Sequence, residues 1–396
     1  MSASKRLITE ETGKQIAANL GIIAGDKLAS MLTSWAAVAA EVRQGYGPAI
    51  FNVGDIITEK WADTAAKKDY DFDWRVNHFG TEEDQLGNTI NGMLLEMKWA
   101  SPFSVQFSHQ RAFYACPDGL AAGTYHFDFA DNWGNNLKKG ITYQFTLTKA
   151  VEKGGRLAGC YGAPDTSPSS WQVYSYGADG MTLNETVSVS VGSAGTNLGT
   201  MTATTRSGNL NCFQEMAYGL NSWKKSALRQ YLNSDKPKGQ WWTAQDQWDI
   251  VPDQLASVDG FLCGIPAEML KAVRTVKVTT YSNTNSENTG AEVTYDRFFP
   301  LSLEQMYITP EVSGEGDANE YYRILNGTSI KYAMWATYPE LRHYAVDNHT
   351  SAQYRRSRSA YRGLAWNAWY VDASGYVGSD GAASDADRFS PACVIG

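Results

Sequence analysis

The chain has 396 residues, of which 43% are apolar and 12% aromatic, with a formal net charge of −8 at pH 7. That length predicts two or three domains with real cores. The acidic balance, with no block of like charge, argues against a nucleic-acid partner, and the lack of any run of about 18 apolar residues argues against membrane insertion.

Residues 1–45 read as helical. Ile16, Leu20 and Ile23 fall near helical spacing, and Leu28 to Val42 is rich in Ala and Leu with apolar residues three and four apart. Such a surface lets helices approach closely, so an attachment or oligomerisation segment is expected, or else an ordinary packed helix. No apolar run ahead of a small-residue cleavage site is present, so no signal peptide is expected and the chain is made in a cytoplasm.

Residues 46–210 read as β structure. Tyr125, Phe127 and Phe129 alternate along one strand, Ile141, Tyr143, Phe145 and Leu147 along another, and Val187, Val189 and Val191 along a third. Half-buried strands at short spacing predict a sandwich or barrel. From residue 211 the texture changes. Asn221–Asn233 reads as a capped amphipathic helix burying Ala227, Leu228, Tyr231 and Leu232, and Pro266 opens a second helix. Arg274-Thr-Val-Lys-Val-Thr-Thr is a strand, 282–290 an exposed loop, and Ser302-Leu-Glu-Gln305 a capping box. The layout of 211–396 is α+β.

Candidate chemistry is sparse. Cys116, Cys160, Cys212, Cys263 and Cys393 form no CxxC pair, so reduced thiols are expected and no zinc or redox site. His78, His109, His126, His343 and His349 are scattered, and His349 beside Asp347 reads as a solvated loop histidine. Asp71 and Asp73 lack an acid–base partner at a useful spacing and read as solvated loop carboxylates. In the last forty residues, small and apolar positions (Arg358-Ser359, Ala365, Ala368, Val371, Gly375, Val377, Ala382, Ser390-Pro-Ala-Cys-Val-Ile) are interleaved with Tyr, Arg, Trp, Asp, Ser and Gly without helical or strand period. That is the pattern of a rigid scaffold displaying changeable side chains, and those side chains are the ones that dominate paratopes.

The order of Ser226-Ala-Leu-Arg-Gln-Tyr-Leu-Asn, Gly260-Phe-Leu-Cys-Gly-Ile-Pro, Arg274-Thr-Val-Lys-Val, Asp296-Arg-Phe-Phe-Pro-Leu-Ser, Arg358-Ser359 and Ser390-Pro-Ala-Cys-Val-Ile resembles the C-type lectin-like variable proteins diversified by retroelements in phages, and a related domain family of gut phages and bacteria. Ala100-Ser-Pro-Phe-Ser-Val-Gln-Phe and Gly119-Leu-Ala-Ala-Gly-Thr-Tyr resemble phage structural proteins that carry such domains.

The resemblance implies a C-type lectin-like domain over 211–396, after a β-rich virion domain (46–210) and the helical segment (1–45). Its terminal strands would pair. The ligand-binding face would comprise Arg355, Arg356, Tyr361, Arg362, Leu364, Asn367, Tyr370, Asp372, Tyr376, Ser379, Asp380, Ser384, Asp385 and Asp387. Trp366 and Trp369 would be framework, or come from a different template codon, because changing the adenines of Asn codons cannot produce Trp. The implied protein is a virion component of tail-fibre type, made in the bacterial host, that binds a host-surface protein or glycan. It would contact other virion proteins through its N-terminal region and form a homo-oligomer, with a trimer favoured.

No catalytic residue, metal or cofactor is expected: the Pro-containing calcium tripeptides of sugar-binding lectins are absent, and Trp366-Asn367 is followed by Ala368. Two departures stand out, Arg355 and Arg356 where aromatics are common before Arg-Ser, and Arg388 where Gly is common. The alternatives are a head fibre or capsid decoration protein, and a glycan-processing enzyme. Buried carboxylates in a cleft would favour the enzyme, and a flat aromatic face would favour binding.

Overall fold

The computed structural model describes residues 34–108, 114–129, 139–159, 172–179, 182–201, 221–245, 249, 251–281, 290–317, 319–326, 344–362, 367–382 and 386–396. The fold is mixed and strand-rich, with short helices. The expected helix before residue 34, the loop over 282–289, Cys160, Cys212, His109 and His343 lie outside the described residues.

Helix α1 (Trp35–Arg43) is capped by Ser34, whose Oγ accepts from the Ala37 N–H at 3.2 Å. Its buried residues, Trp35, Val38, Ala39 and Val42, are three and four apart and so form one face. That face packs onto the main sheet and onto a later helix. The described end of the expected attachment segment is therefore part of the core.

The main sheet begins with β1 (Ile56–Asp63), β2 (Lys68–Glu83) and β3 (Thr89–Met97), paired antiparallel in succession. Asp71 and Asp73 lie on β2, not in a loop. Asp71 pairs with Lys60 at 2.6 Å, and Asp73 accepts from Thr58 and from Trp99. The β2–β3 turn is held by Asp84, which accepts from the N–H groups of Leu86 and Asn88, with Gly87 at φ +80° supplying a left-handed position.

Residues 114–201 then make two four-stranded sheets around a second core of Phe127, Phe129, Tyr143, Phe145, Leu157 and Val173. The alternation read over 125–129 and 143–147 is present, with every odd-numbered position buried. Val189 is buried but Val191 is 63% exposed, because the chain breaks between two short strands there.

The chain returns to the first core with α2 (Ala227–Leu232), capped by Ser226 and burying Ala227, Leu228, Tyr231 and Leu232. It is shorter than the expected 221–233, since Asn221 instead reaches the Tyr361 carbonyl at 2.9 Å. Next come α3 (Ala267–Ala272), β4 (Val273–Arg274), the hairpin of β5 (Val276–Tyr281) and β6 (Ala291–Asp296), β7 (Phe299–Pro300) and α4 (Glu320–Asn326). Ser302 and Gln305 form the reciprocal capping-box pair, but a turn follows and not a helix. The sheet β8 (Arg355–Ala360), β9 (Asn367–Val371) and β10 (Val377–Ala382) precedes the last strand, β11 (Pro391–Ile395).

All five residues of β11 are buried, as an unbroken apolar run requires. β11 lies between β3 and β4, with Met93 opposite Ile395 and Val273 opposite Ile395 on its other side. One core therefore joins Trp61, Phe72 and Trp74 to Phe261, Phe298 and Phe389. Trp61 and Phe72 stack with centroids 5.3 Å apart, and the Trp61 indole donates to the Phe261 carbonyl at 3.1 Å. The divisions expected at 45/46 and 210/211 do not follow the cores: described residues between 35 and 107 and between 223 and 395 share one, and described residues between 114 and 201 carry the other. The reason is pairing across almost the whole chain, of a kind that leaves no local signature.

Candidate functional site

The residues expected to form a displayed face divide into three groups. The first is buried. All six residues of β8 are buried, Arg355 and Arg356 among them at 1% exposure. Arg355 forms an ion pair with Glu96 of β3 and donates to the Tyr322 hydroxyl at 3.1 Å, while Tyr322 donates to Glu96 at 2.6 Å. Asn77 donates to the same carboxylate at 2.7 Å. Burial opposes the Arg355 charge, but Glu96 and Tyr322 outweigh it and raise its pKa. Arg356 pairs with Asp387, whose short strand Ala386–Asp387 pairs with Val105–Gln106. Arg355, Arg356 and Asp387 are thus engaged in internal ion pairs, contrary to their expected display. Asn367 is buried too, and its carbonyl accepts from Asn221 and from the Tyr361 N–H.

Arg358, a position of the expected framework, ties three segments together. It donates to the carbonyls of Pro300 and Glu315 and to Gln305, with its guanidinium 5.5 Å from the Phe299 ring centroid. Burial lowers its pKa to about 10, still protonated at neutral pH, and Glu315 is the main countering charge. Arg388 donates to the Ser101 carbonyl and pairs with Asp347 at 3.0 Å, so its departure from Gly has a structural use. His349 is exposed and stacks on Trp99 with centroids 4.0 Å apart.

The second group shapes the backbone. Asp372 Oδ1 accepts from the Ser374 and Tyr376 N–H groups, both at 2.8 Å, and from the Ser374 hydroxyl, so it builds the β9–β10 turn. The Tyr361 ring packs edge-on against Trp369 at 5.9 Å, and the Trp369 indole donates to Glu311 at 3.0 Å. Arg362 is half-buried near the Tyr281 ring, with its N–H on Glu311.

The third group faces outward. Tyr376 is 55% exposed at the turn, and Tyr370 is half-exposed over Gly378, where an added Cβ would meet its ring at 2.5 Å. Tyr354, which opens the stretch of about 354–388 expected to vary but is not among the expected face residues, is 47% exposed with its ring 5.4 Å from that of Tyr370. The available signal was its position as the aromatic just ahead of Arg355-Arg356. Ser379 is half-buried on β10. Leu364, Trp366, Ser384, Asp385 and the Asp380 side chain lie outside the described residues.

A second feature was not anticipated. A cleft of about 480 Å³ opens between β2, β5 and the segment around Glu315. Glu304 accepts from the N–H groups of Gly314 and Glu315, both at 2.8 Å, and Glu315 accepts from the Tyr281 N–H and the Ser359 hydroxyl. Burial raises the Glu315 pKa against the pull of Arg358.

Glu82 lies opposite Ile90 in the β2–β3 ladder, and its carboxyl makes no hydrogen bond among the described residues. Burial, partly countered by Arg358 and reinforced by Asp317, pushes it from 4.5 up to about 7. The folded state then holds the Glu82 proton more tightly than the unfolded chain, so this group's contribution to stability falls as pH rises from about 4.5 to about 7. Glu82→Gln should therefore raise the melting temperature, relative to the native chain, more at pH 8 than at pH 4. An equal difference at both pH values would contradict this.

Residues 201–396 match a family model described as a domain of unknown function, DUF6273. No curated protein and no solved structure matches the chain. The matched segment contains β4 to β11 but not β1 to β3, the strands that complete its sheet.

Proposed function

We propose that the chain is a phage virion protein of receptor-binding type, which recognises a host-surface protein or glycan through a C-type lectin-like C-terminal face. The observation that carries this reading is the outward tyrosine set, Tyr354, Tyr370 and Tyr376, on a sheet whose first strand is pinned by three buried arginines. A backbone held that firmly loses little entropy when its side chains bind. Tyrosine brings a large contact area with few rotatable bonds. In this reading the protein is not an enzyme. The N-terminal region contacts other virion proteins, the chain forms a homo-oligomer with a trimer favoured, and several copies raise a modest affinity. A head fibre or decoration protein would use the same face differently.

The cleft with Glu82 favours a second reading, a glycan-processing enzyme. Glycoside hydrolysis needs two carboxyls free to act on the substrate, and Glu304 and Glu315 are engaged by backbone N–H groups and Ser359. Asp317 lies beside Glu82 in the same cleft, so release of nitrophenol from chromogenic glycosides would support this second reading and its absence the binding one.

The binding reading is tested with labelled full-length chain on a panel of bacterial cells, followed by flow cytometry. Tyr354→Ala with Tyr376→Ala should weaken binding at least tenfold, since a single hot-spot aromatic is worth about 2 kcal/mol or more. Tyr376→Ala alone should change stability by no more than about 0.5 kcal/mol. Trp369→Ala should cost about 2–5 kcal/mol. Unchanged cell binding by the double variant would refute the reading.

A further inference from the structure

We infer that the outer edge of β6 pairs with the same edge of a second copy of the chain, antiparallel about a two-fold axis at Val293. This does not rest on the receptor-binding reading, and the contact is separate from any oligomer formed through the N-terminal region. β6 is the free edge of the two-stranded β5–β6 hairpin. Its burial pattern is the reverse of an ordinary surface strand's, which is apolar inward and polar outward. Ala291, Val293 and Tyr295 are exposed, Val293 at 38% and Tyr295 at 40%, while Glu292, Thr294 and Asp296 are buried. The inward polar groups are satisfied. Ser222 donates to Glu292 at 2.7 Å, and Trp223 and Thr294 donate to Asp296 at 2.9 and 2.6 Å. The apolar row is left facing outward.

The backbone groups of the same three residues point outward too. The Tyr281 N–H leaves the hairpin and donates to Glu315 at 2.9 Å. In an antiparallel pair, two opposed residues turn their N–H and C=O groups either toward each other or both away. Tyr281 lies opposite Ala291, so the Ala291 groups point away from β5, and at a period of two so do those of Val293 and Tyr295. None of the three makes a backbone hydrogen bond on that side among the described residues. Such an edge is a template for another strand, and proteins ordinarily shield it with Lys, Pro or a bulge. The edge strand β1 carries Lys60, and the edge strand Leu183–Ser188 has a bulge. β6 has neither Lys, Pro nor bulge.

The residues select a second copy as the occupant. About this axis Val293 meets Val293, Ala291 meets Tyr295, Glu292 meets Thr294 and Asp296 meets Gly290. The large ring falls opposite the small methyl. No charge on β6 falls opposite a like charge, the arrangement that ordinarily disfavours pairing a strand with itself. The outward groups of Ala291, Val293 and Tyr295 then find partners across the axis, and two hairpins, each marginal alone, become one sheet. The contact uses the same patch on both copies, as a two-fold interface must.

The experiment is sedimentation velocity on the full chain over a concentration series. The native chain should sediment as an assembly of an even number of copies. Val293→Lys sets like charges against each other at the axis, and Tyr295→Lys removes the ring that faces Ala291. Each should halve the mass and leave the melting temperature unchanged, since both positions are exposed. If Val293→Lys does not fold, Tyr295→Lys decides. Val293→Cys reads the register. Opposed Cα atoms at such a pair are about 5.5 Å apart, within the roughly 4.4–6.8 Å that disulfides span. Oxidation by copper–phenanthroline in air should therefore link two copies at least tenfold more efficiently than in Leu86→Cys, a position 79% exposed at the β2–β3 turn. The inference fails if the native chain is a monomer or an odd-numbered assembly, or if its mass survives the lysine variants. It also fails if Val293→Cys links no better than Leu86→Cys. A trimer unaffected by these variants would leave the N-terminal oligomer standing and refute the edge contact alone.

Discussion

A chain cut to residues 211–396 is expected to give no cooperative thermal transition. The cut leaves β11 without β3, so the ladder from Ala392 opposite Glu96 to Ile395 opposite Met93 is lost. It also strips Phe72, Trp74, Val76, Leu94, Leu95 and Met97 from the shared core, each at most 3% exposed in the intact chain. Burying one such side chain is worth about 1.5–3 kcal/mol. Six of them rival the whole stability of an ordinary domain, about 5–15 kcal/mol. The buried Arg355 would lose its carboxylate as well.

The complementary chain should fold: residues 34–108 joined by a short Gly/Ser linker to 221–396, leaving out the second core. The two ends are close, since the Phe107 and Trp223 rings are 6.1 Å apart and the Leu228 N–H donates to the Phe107 carbonyl at 3.2 Å. Circular dichroism melts of both chains provide the check. A sharp transition for 211–396 alone would show that β1 to β3 are dispensable.

The parts legible in the sequence are those whose signal is local. The apolar spacing of Ala227, Leu228, Tyr231 and Leu232 marks a helix face at 3.6 residues per turn, and Tyr143, Phe145 and Leu147 mark a strand face at two. The run Pro-Ala-Cys-Val-Ile marks a strand buried on both sides. What failed depends on distant partners. Arg355 and Glu96 are 259 residues apart, and nothing beside Arg355 distinguishes a neutralised interior arginine from a displayed one. The same holds for the cleft, whose walls come from β2, β5, the segment around Glu315 and Arg358. Tyr376 was legible because it follows Asp372, Ser374 and Gly375, residues suited to a tight turn that lifts the next side chain outward.

The largest single-residue effect is expected at Arg355. Arg355→Ala leaves Glu96 buried with only Asn77 and Tyr322 as donors, and no cation to offset its charge. Breaking one side of a buried pair costs about 3–5 kcal/mol, because the remaining charge is uncompensated. Arg355→Lys should recover little. A single ammonium point charge cannot reproduce a planar fork that meets both Glu96 and Tyr322.

Replacing both partners by apolar groups of similar size, Arg355→Met with Glu96→Leu, should be less damaging than Arg355→Ala, since no charge is then left buried. Urea midpoints for the three variants measure the differences, and binding of each folded variant to the cell panel supplies the second readout. If Arg355 is a framework residue, Arg355→Ala lowers the midpoint strongly and the double replacement restores most of it. If Arg355→Ala shifts stability by less than about 1 kcal/mol and instead abolishes cell binding, the side chain is displayed and the buried pair with Glu96 is wrong.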